Sequence, residues 1–380
     1  MGLPGPPSVF YRELMTVCEA QAGARLTIDT TALAANWRLC AALAPKAVCA
    51  AAVKGDAYGI GIDIAVPALA EAGCAHFFVA HLAEAQRVRA LTGTAAVYVL
   101  NGLMPGTAAA HAELGLTPVL GSLEEVAEWQ GFCAATGWSG GAALHVDTGM
   151  SRLGLTLEEA LALDPAALPR LDLVMSHFAC ADEPEHPLNR RQIAEFAAVR
   201  MHLPAPPASL CNSSGLFLPG APGLDMVRPG VALYGGNPTP GKPNPMRPVV
   251  TLEARILQLR DVAPGDSVGY GATWSSRTPT RLAVVAAGYG DGYLRAGSSS
   301  EDFDSAVALV GGRPCPVAGR ISMDLTAIDI TALPREAVAR GDWVELIGPH
   351  LTIDEVGRRA GTIGYEVLTS LGSRYHRRIA

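Results

Sequence analysis

The chain has 380 residues, 29 basic against 36 acidic side chains for a net charge of −7, and 49% hydrophobic against 17% charged residues. That profile excludes a disordered chain, and an acidic balance without a long Lys/Arg-rich stretch argues against a nucleic-acid partner. No apolar run reaches the ~18 residues of a membrane-spanning helix. The start, MGLPGPPSVFYRELM, lacks the basic and apolar regions of a secretion signal, so a cytoplasmic protein without a membrane partner is expected.

Residues 1–24, rich in Gly, Pro and Ala at their start, read as an N-terminal extension. From 25 to 240 short apolar or β-branched runs alternate with longer Ala/Leu/Glu stretches, the signature of βα units around a parallel sheet. The runs fall at 47–53, 76–81, 95–100, 116–120, 143–147, 173–178, 208–212 and 225–235. Eight such strands in this length fit an α/β fold of the (β/α)8 TIM-barrel type. Ser122-Leu-Glu-Glu125 and Thr156-Leu-Glu-Glu159 each read as a capping box opening a helix after a strand.

The proline-rich bridge NPTPGKPNPMRP, residues 237–248, ends this pattern. Beyond it, runs such as VVTLEARILQLR, TRLAVVAAGY, ISMDLTAIDI and WVELIG predict a mostly β domain over 241–380. The eight cysteines, from Cys18 to Cys315, form no C-x-x-C pair and have no paired histidines nearby, so they read as reduced core residues and no metal site is expected.

In a TIM-type barrel, chemistry collects at the carboxyl ends of the strands and phosphates favour the loops after strands seven and eight. The unusual residues fall there: Lys54 after strand one, Asp147 and Arg152 after strand five, His177 closing strand six, Asn212-Ser213-Ser214 after strand seven and Arg228 in strand eight. Each alone has an ordinary explanation: a solvated lysine, an aspartate turn, a core histidine, a cap, a surface ion pair. All on one rim, they point to an active site. A lysine that can attack a carbonyl, beside a hydroxyl-and-backbone anion site, asks for a cofactor bearing an aldehyde and a phosphate, and pyridoxal phosphate (PLP) fits. GYGDGY and GYGATW lack the spacing of a dinucleotide fingerprint.

The segments VKGDAYGIG (53–61), HVDTGMSRLG (145–154), SHFACAD (176–182), NSSG (212–215), VRPGVALYG (227–235), VGYGATW (268–274), AGYGDGYLR (287–295), AGRISMD (318–324) and GTIGYEVLTSLGSR (361–374) resemble, in order, those of the bacterial alanine racemases. The resemblance implies a PLP-bearing barrel with a C-terminal β domain, racemising alanine as a head-to-tail homodimer with shared active sites. Carried over residue by residue, it makes Lys54 the Schiff-base lysine and Tyr270 of the partner subunit the second base. Arg228 would face the pyridine nitrogen, and Tyr58, Ser213, Gly230, Val231 and Tyr365 would hold the phosphate. Arg152 and Met323 would meet the substrate carboxylate and cofactor oxygen, His177 would stack near the ring and support the tyrosine, and Tyr289 with Asp324 would line the approach.

Three positions depart from the family pattern. His145 stands where a lysine, often carbamylated, braces the active-site arginine; Ser209 replaces a histidine behind Arg228; Ile60 replaces a histidine of the first motif. Alternatives are a serine or broader-specificity racemase, or an amino-acid decarboxylase of the same fold, which AGRISMD in place of a cysteine-bearing motif argues against.

Overall fold

The computed structural model describes residues 18–203, 206–299 and 306–380, so most of the expected N-terminal extension lies outside the described residues. The chain divides into one unit formed by Thr30–Arg247 and another formed by the residues up to Asp29 with Pro248–Ala380.

A first strand, β1 (Ala24–Ile28), precedes the barrel, whose strands follow in chain order. They are β2 (Val48–Cys49), β3 (Ala51–Ala52), β4 (His76–Val79), β5 (Ala96–Val99), β6 (Thr117–Leu120), β7 (Ala142–His145), β8 (Leu171–Met175), β9 (Ala208–Ser209) and β10 (Met226–Val227). The run expected at 47–53 is thus parted at Ala50 into β2 and β3. Sheet order runs β2-β10-β9-β8-β7-β6-β5-β4-β3 with parallel pairing, so the sheet closes through this split run. Ala50 N–H donates to Val227 O at 2.9 Å on one side, and Val53 N–H to Phe78 O at 2.8 Å on the other. Strands covered on both faces read as continuous apolar runs, and Phe77, Val79, Val97, Leu120, Ala143, Leu144 and Val174 are accordingly buried.

Both expected helix starts form. Thr156 and Glu159 close a reciprocal box, with Glu159 N–H donating to Thr156 Oγ1 at 3.1 Å and Thr156 N–H to Glu159 Oε2 at 2.8 Å. Ser122 accepts from Glu125 N–H at 3.2 Å, but the Glu125 carboxylate turns to Gly121 N–H (2.5 Å) and Leu103 N–H (2.9 Å).

The other unit is mostly β. β11 (Val250–Val262) is its longest strand and pairs with β1, with β12 (Thr280–Val285) and with β16 (Trp343–Ile347), while β13 (Val307–Val310), β14 (Arg313–Pro316), β15 (Thr326–Asp329) and β17 (His376–Ile379) extend the sheet. β1 lies between β11 and β17 and alternates buried with half-buried residues, the period of a strand covered on one face. The first strand after the extension therefore belongs to the β unit, and the barrel unit begins at Thr30. This differs from a division at 25 and 241, because a pairing such as Leu26 with Leu252 leaves no local trace in sequence. Among the described residues no helix is long and apolar enough to cross a membrane, no cluster of metal-binding side chains occurs, and all eight cysteines are free.

Candidate active site

Lys54 follows the buried Val53 and is itself half-buried. Burial, aided by the nearby cations of Arg152 and Arg228, pushes its ammonium below the usual lysine range, and the Glu84 carboxylate opposes that shift. The backbone after it is unusual: Gly55, Asp56, Ala57 and Tyr58 all have φ between 52° and 64°. Left-handed backbone costs an L-residue about 1–2 kcal/mol, so something must hold this turn. Glu84 does so with both oxygens: Oε1 accepts from Gly55 N–H (2.7 Å) and Asp56 N–H (3.1 Å), Oε2 from Ala80 N–H (2.9 Å) and His81 N–H (3.2 Å). Asp56 Oδ1 in turn accepts from Ile62 N–H at 3.0 Å and pairs with Arg87 at 2.7 Å.

Arg228 is buried with only neutral acceptors. Its Nη1 donates to Ser209 Oγ and its Nη2 to Ser176 O at 2.6 Å, and Nη2 lies 3.4 Å from His177 Nδ1. Burial lowers its pKa to about 10, which leaves it cationic at neutral pH. Ser209 Oγ donates its own hydrogen bond to Met226 O at 2.7 Å, so the serine stands behind Arg228 where the resemblance implies a histidine. Around them runs a buried network: Thr148 Oγ1 and Ser176 Oγ lie 2.8 Å apart, and Gln192 Nε2 donates to His177 O at 2.8 Å and to Thr148 Oγ1 at 3.3 Å. His177 Nε2 faces Asn212 Nδ2 at 3.4 Å. Burial, and then the charge of Arg228, hold His177 well below the usual histidine pKa. Its expected support of a tyrosinate thus cannot be as a cation; the imidazole is neutral.

Hydrogen bonds tie together the loops that follow β9 and β10. Ser213 Oγ accepts from Gly230 N–H (2.9 Å) and Ala232 N–H (3.2 Å), which leaves its hydroxyl proton to donate. A Cβ at Gly230 would run into the Tyr58 hydroxyl, so only glycine lets these groups converge. Tyr58 stacks on Tyr234 with ring centroids 4.6 Å apart, and Val231 is buried beside the glycine.

Asp147 builds a loop rather than reacting. Its Oδ1 accepts from Gly149 and Met150 N–H and its Oδ2 from Ser151 N–H, each at 2.8 Å, and this turn delivers the exposed Arg152. Among the described residues His145 makes no hydrogen bond to Arg152. Burial first, then Arg228 and Arg152, bring its pKa down to about 4, so it stands as a neutral neighbour of that arginine.

The remaining residues of the expected site lie in the β unit. Tyr270 sits on a turn between Gly269 and Gly271, whose φ values are 78° and 75°, and is 70% exposed. A Cβ at Gly271 would approach Arg320 Nη1 to 2.8 Å. The structure brings Tyr289, Met323 and Asp324 together: Tyr289 N–H donates to Ser322 O (3.0 Å), Gly290 N–H to Met323 O (2.8 Å), and Arg374 bridges Asp291 (2.6 Å) and Asp324 (2.7 Å). Met323 is 53% exposed and Tyr365, on the helix Gly364–Thr369, 40%.

Sequence reading missed Glu84 and Gln192. Glu84 is three residues into a helix, but His81 at the cap position hides the capping-box signal. Gln192 falls on the inward stripe of helix Pro187–His202 with Asn189, Phe196 and Val199, so a buried polar position in an otherwise core-facing periodicity was the clue.

Residues 28–238 match the family model for the N-terminal domain of alanine racemase, and residues 249–379 that for its C-terminal domain. The chain is 58% identical over 358 residues to an alanine racemase of Methylobacterium nodulans, covering 93% of this chain and 95% of the relative. It is 57% identical to another from Methylobacterium sp., at 93% and 97% coverage. Among solved structures it is similar to the alanine racemase of Bartonella henselae with covalently bound pyridoxal phosphate, at a TM-score of 0.89 and 38% identity, over 94% of this chain and 100% of that one.

Proposed function

The chain belongs to the alanine racemase family and is an isomerase interconverting L- and D-alanine; from that premise we propose that Lys54 and Tyr270 of the partner subunit are its two proton-transfer bases. The observation that carries this reading is the place of the lysine, half-buried at the barrel rim beside Arg152 and Arg228, where burial and those cations disfavour its charged form. Racemisation removes the Cα proton from one face and returns one to the other, so bases on opposite faces suit it. Tyr270, exposed on its own turn, is free to serve a second copy of the chain.

The residues present fit PLP. Tyr58, Ser213, Gly230 and Val231 would hold the phosphate, the Ser213 hydroxyl keeping its proton to donate while it accepts from Gly230 and Ala232 N–H, and Tyr365 would add a further hydroxyl. Arg228 would meet the ring nitrogen, His177 the ring face and Lys54 the aldehyde carbon. When bound, the cofactor supplies the electron sink for the negative charge left at Cα.

Ionising a free tyrosine at pH 7 costs about 4 kcal/mol. With His177 neutral, the cationic help for Tyr270 falls to Arg152, which also pairs with the substrate carboxylate. Arg228 remains a cation without a proton to spare, so it donates hydrogen bonds only. Met323 would meet the cofactor oxygen, and Tyr289 and Asp324 narrow the approach, suiting a side chain as small as a methyl group. The reading includes a homodimer with shared sites and a cytoplasmic location.

Single turnover of Cα-deuterated L-alanine in H2O tests the pair of bases. D-alanine without substrate-derived deuterium is expected; D-alanine that keeps much of it would mean that one base both takes and returns the proton.

A further inference from the structure

We propose that Glu84 is a positioning residue for the reaction: it fixes the left-handed turn that carries Lys54, and so sets where the amine stands. The inference rests on the reading of Lys54 as a base. Four backbone N–H groups converge on this one carboxylate, two from the turn after β3 and two from the end of β4. An ordinary capping glutamate needs only the N-cap N–H of its own helix, here His81. Glu84 reaches across to Gly55 and Asp56, the two residues that follow the lysine.

Further along, the turn is held by Tyr58 stacking on Tyr234 and by Asp56 Oδ1 accepting from Ile62 N–H at 3.0 Å, but the two amides next to the lysine go to Glu84. Asp56 is braced by Arg87, an ion pair nearly half exposed on both sides and therefore weak. Among the described residues the charged and titratable groups acting on Lys54 are Arg152, Arg228, His177 and Glu84, of which Glu84 is the anion. The same carboxylate thus fixes the backbone of the lysine and sets part of the field around its amine.

Glu125 supplies an internal control. It stands at the equivalent position of the helix after β6 and clasps Gly121 N–H and, one loop back, Leu103 N–H. The device is similar, with two backbone donors in place of four, but no lysine hangs on the clasped loop.

The test is amide hydrogen exchange on the full-length holoenzyme, with steady-state kinetics and a pH titration of the bound cofactor's visible absorption. Glu84→Gln keeps the shape but turns an NH2 towards one pair of donors. It should speed exchange at Gly55 and Asp56, or at Ala80 and His81, at least tenfold. It should lower kcat at least tenfold with KM within about threefold, and move the pH midpoint of the absorption. Glu125→Gln should speed exchange at Leu103 or Gly121, leave kcat within twofold and leave the pH midpoint unmoved.

Faster exchange in Glu84→Gln with kcat and midpoint unchanged would reduce Glu84 to a cap and overturn the proposal. Should that variant not fold, the wild type decides: Gly55 and Asp56 amides exchanging at free-peptide rates would overturn it equally. Lys54→Ala separates the two readings. It should lower kcat by at least about 10² while leaving exchange at Gly55 unchanged; if activity stays near wild type, the lysine assignment fails while the hold of Glu84 on the turn stands.

Discussion

The barrel unit and the β unit hold their parts of the expected site in opposite ways. In the barrel unit the polar groups are partnered, and Arg228, Ser176, Ser209 and Gln192 are buried as well: Arg228 is bonded to Ser209 and Ser176, His177 to Gln192 through its carbonyl, Gly55 and Asp56 to Glu84. In the β unit the side chains stand out: Tyr270, Tyr289, Met323 and Tyr365 are all exposed, although the backbone beneath Tyr289 and Met323 is firmly bonded. A buried polar network must be complete within its own unit, because an unpaired buried group costs about 1–3 kcal/mol. Exposed side chains are under no such requirement, because water satisfies their polar groups.

That contrast breaks most visibly in a complementation test. Lys54→Ala and Tyr270→Phe should each lower kcat by about 10²–10⁴, the usual worth of a positioned acid or base. If Tyr270 serves the partner, a mixed dimer places both lesions in one site and leaves the other intact. Co-expressing the two variants should then restore up to about a quarter of wild-type activity, counting random pairing with one good site per mixed dimer. No recovery above the single variants would put Tyr270 to work in its own chain. Tyr270→Phe should leave the melting temperature unchanged, since Tyr270 is 70% exposed and the change removes a single surface hydroxyl.

A smaller effect probes the barrel side. Ser209→Ala removes the acceptor of Arg228 Nη1 and the donor to Met226 O in a site closed to water. The loss should be about 2–3 kcal/mol of unfolding free energy, by denaturant titration. A shift under about 0.5 kcal/mol would mean that the barrel network is no more demanding than the exposed set.

Much of this was legible in sequence, for identifiable reasons. Parallel strands covered on both faces must be apolar throughout, so the barrel strands announced themselves, and a lysine ending such a run stood out. β1 did not, because its partners lie in β11 and β17 at the far end of the chain. Asp147 looked reactive among its neighbours, yet its carboxylate is spent on three backbone N–H groups, the plainer of its two readings. Glu84 was invisible because its partners are backbone amides of another loop, and hydrogen bonds to backbone leave no residue pattern. The role of Tyr270 came from family resemblance alone; nothing in its local sequence distinguishes it from another exposed tyrosine of a glycine-rich turn.

Acid should separate the units further. His145 in the folded barrel has a pKa of about 4, chiefly through burial, against about 6.5 in an unfolded chain. Between those values the unfolded state binds a proton that the folded state refuses, so stability rises with pH across the window. The contribution is complete above about pH 6.5 and is lost as pH falls towards 4, amounting to about 2 kcal/mol between pH 7 and pH 5. His177, shifted the same way by burial, adds with the same sign. Hydrogen exchange at pH 5 should therefore show the barrel strands loosening before the β unit, and His145→Asn should remove part of that slope. Equal loosening of both units, or a slope unchanged in the variant, would mean that the buried histidines are not what makes the barrel the acid-sensitive half.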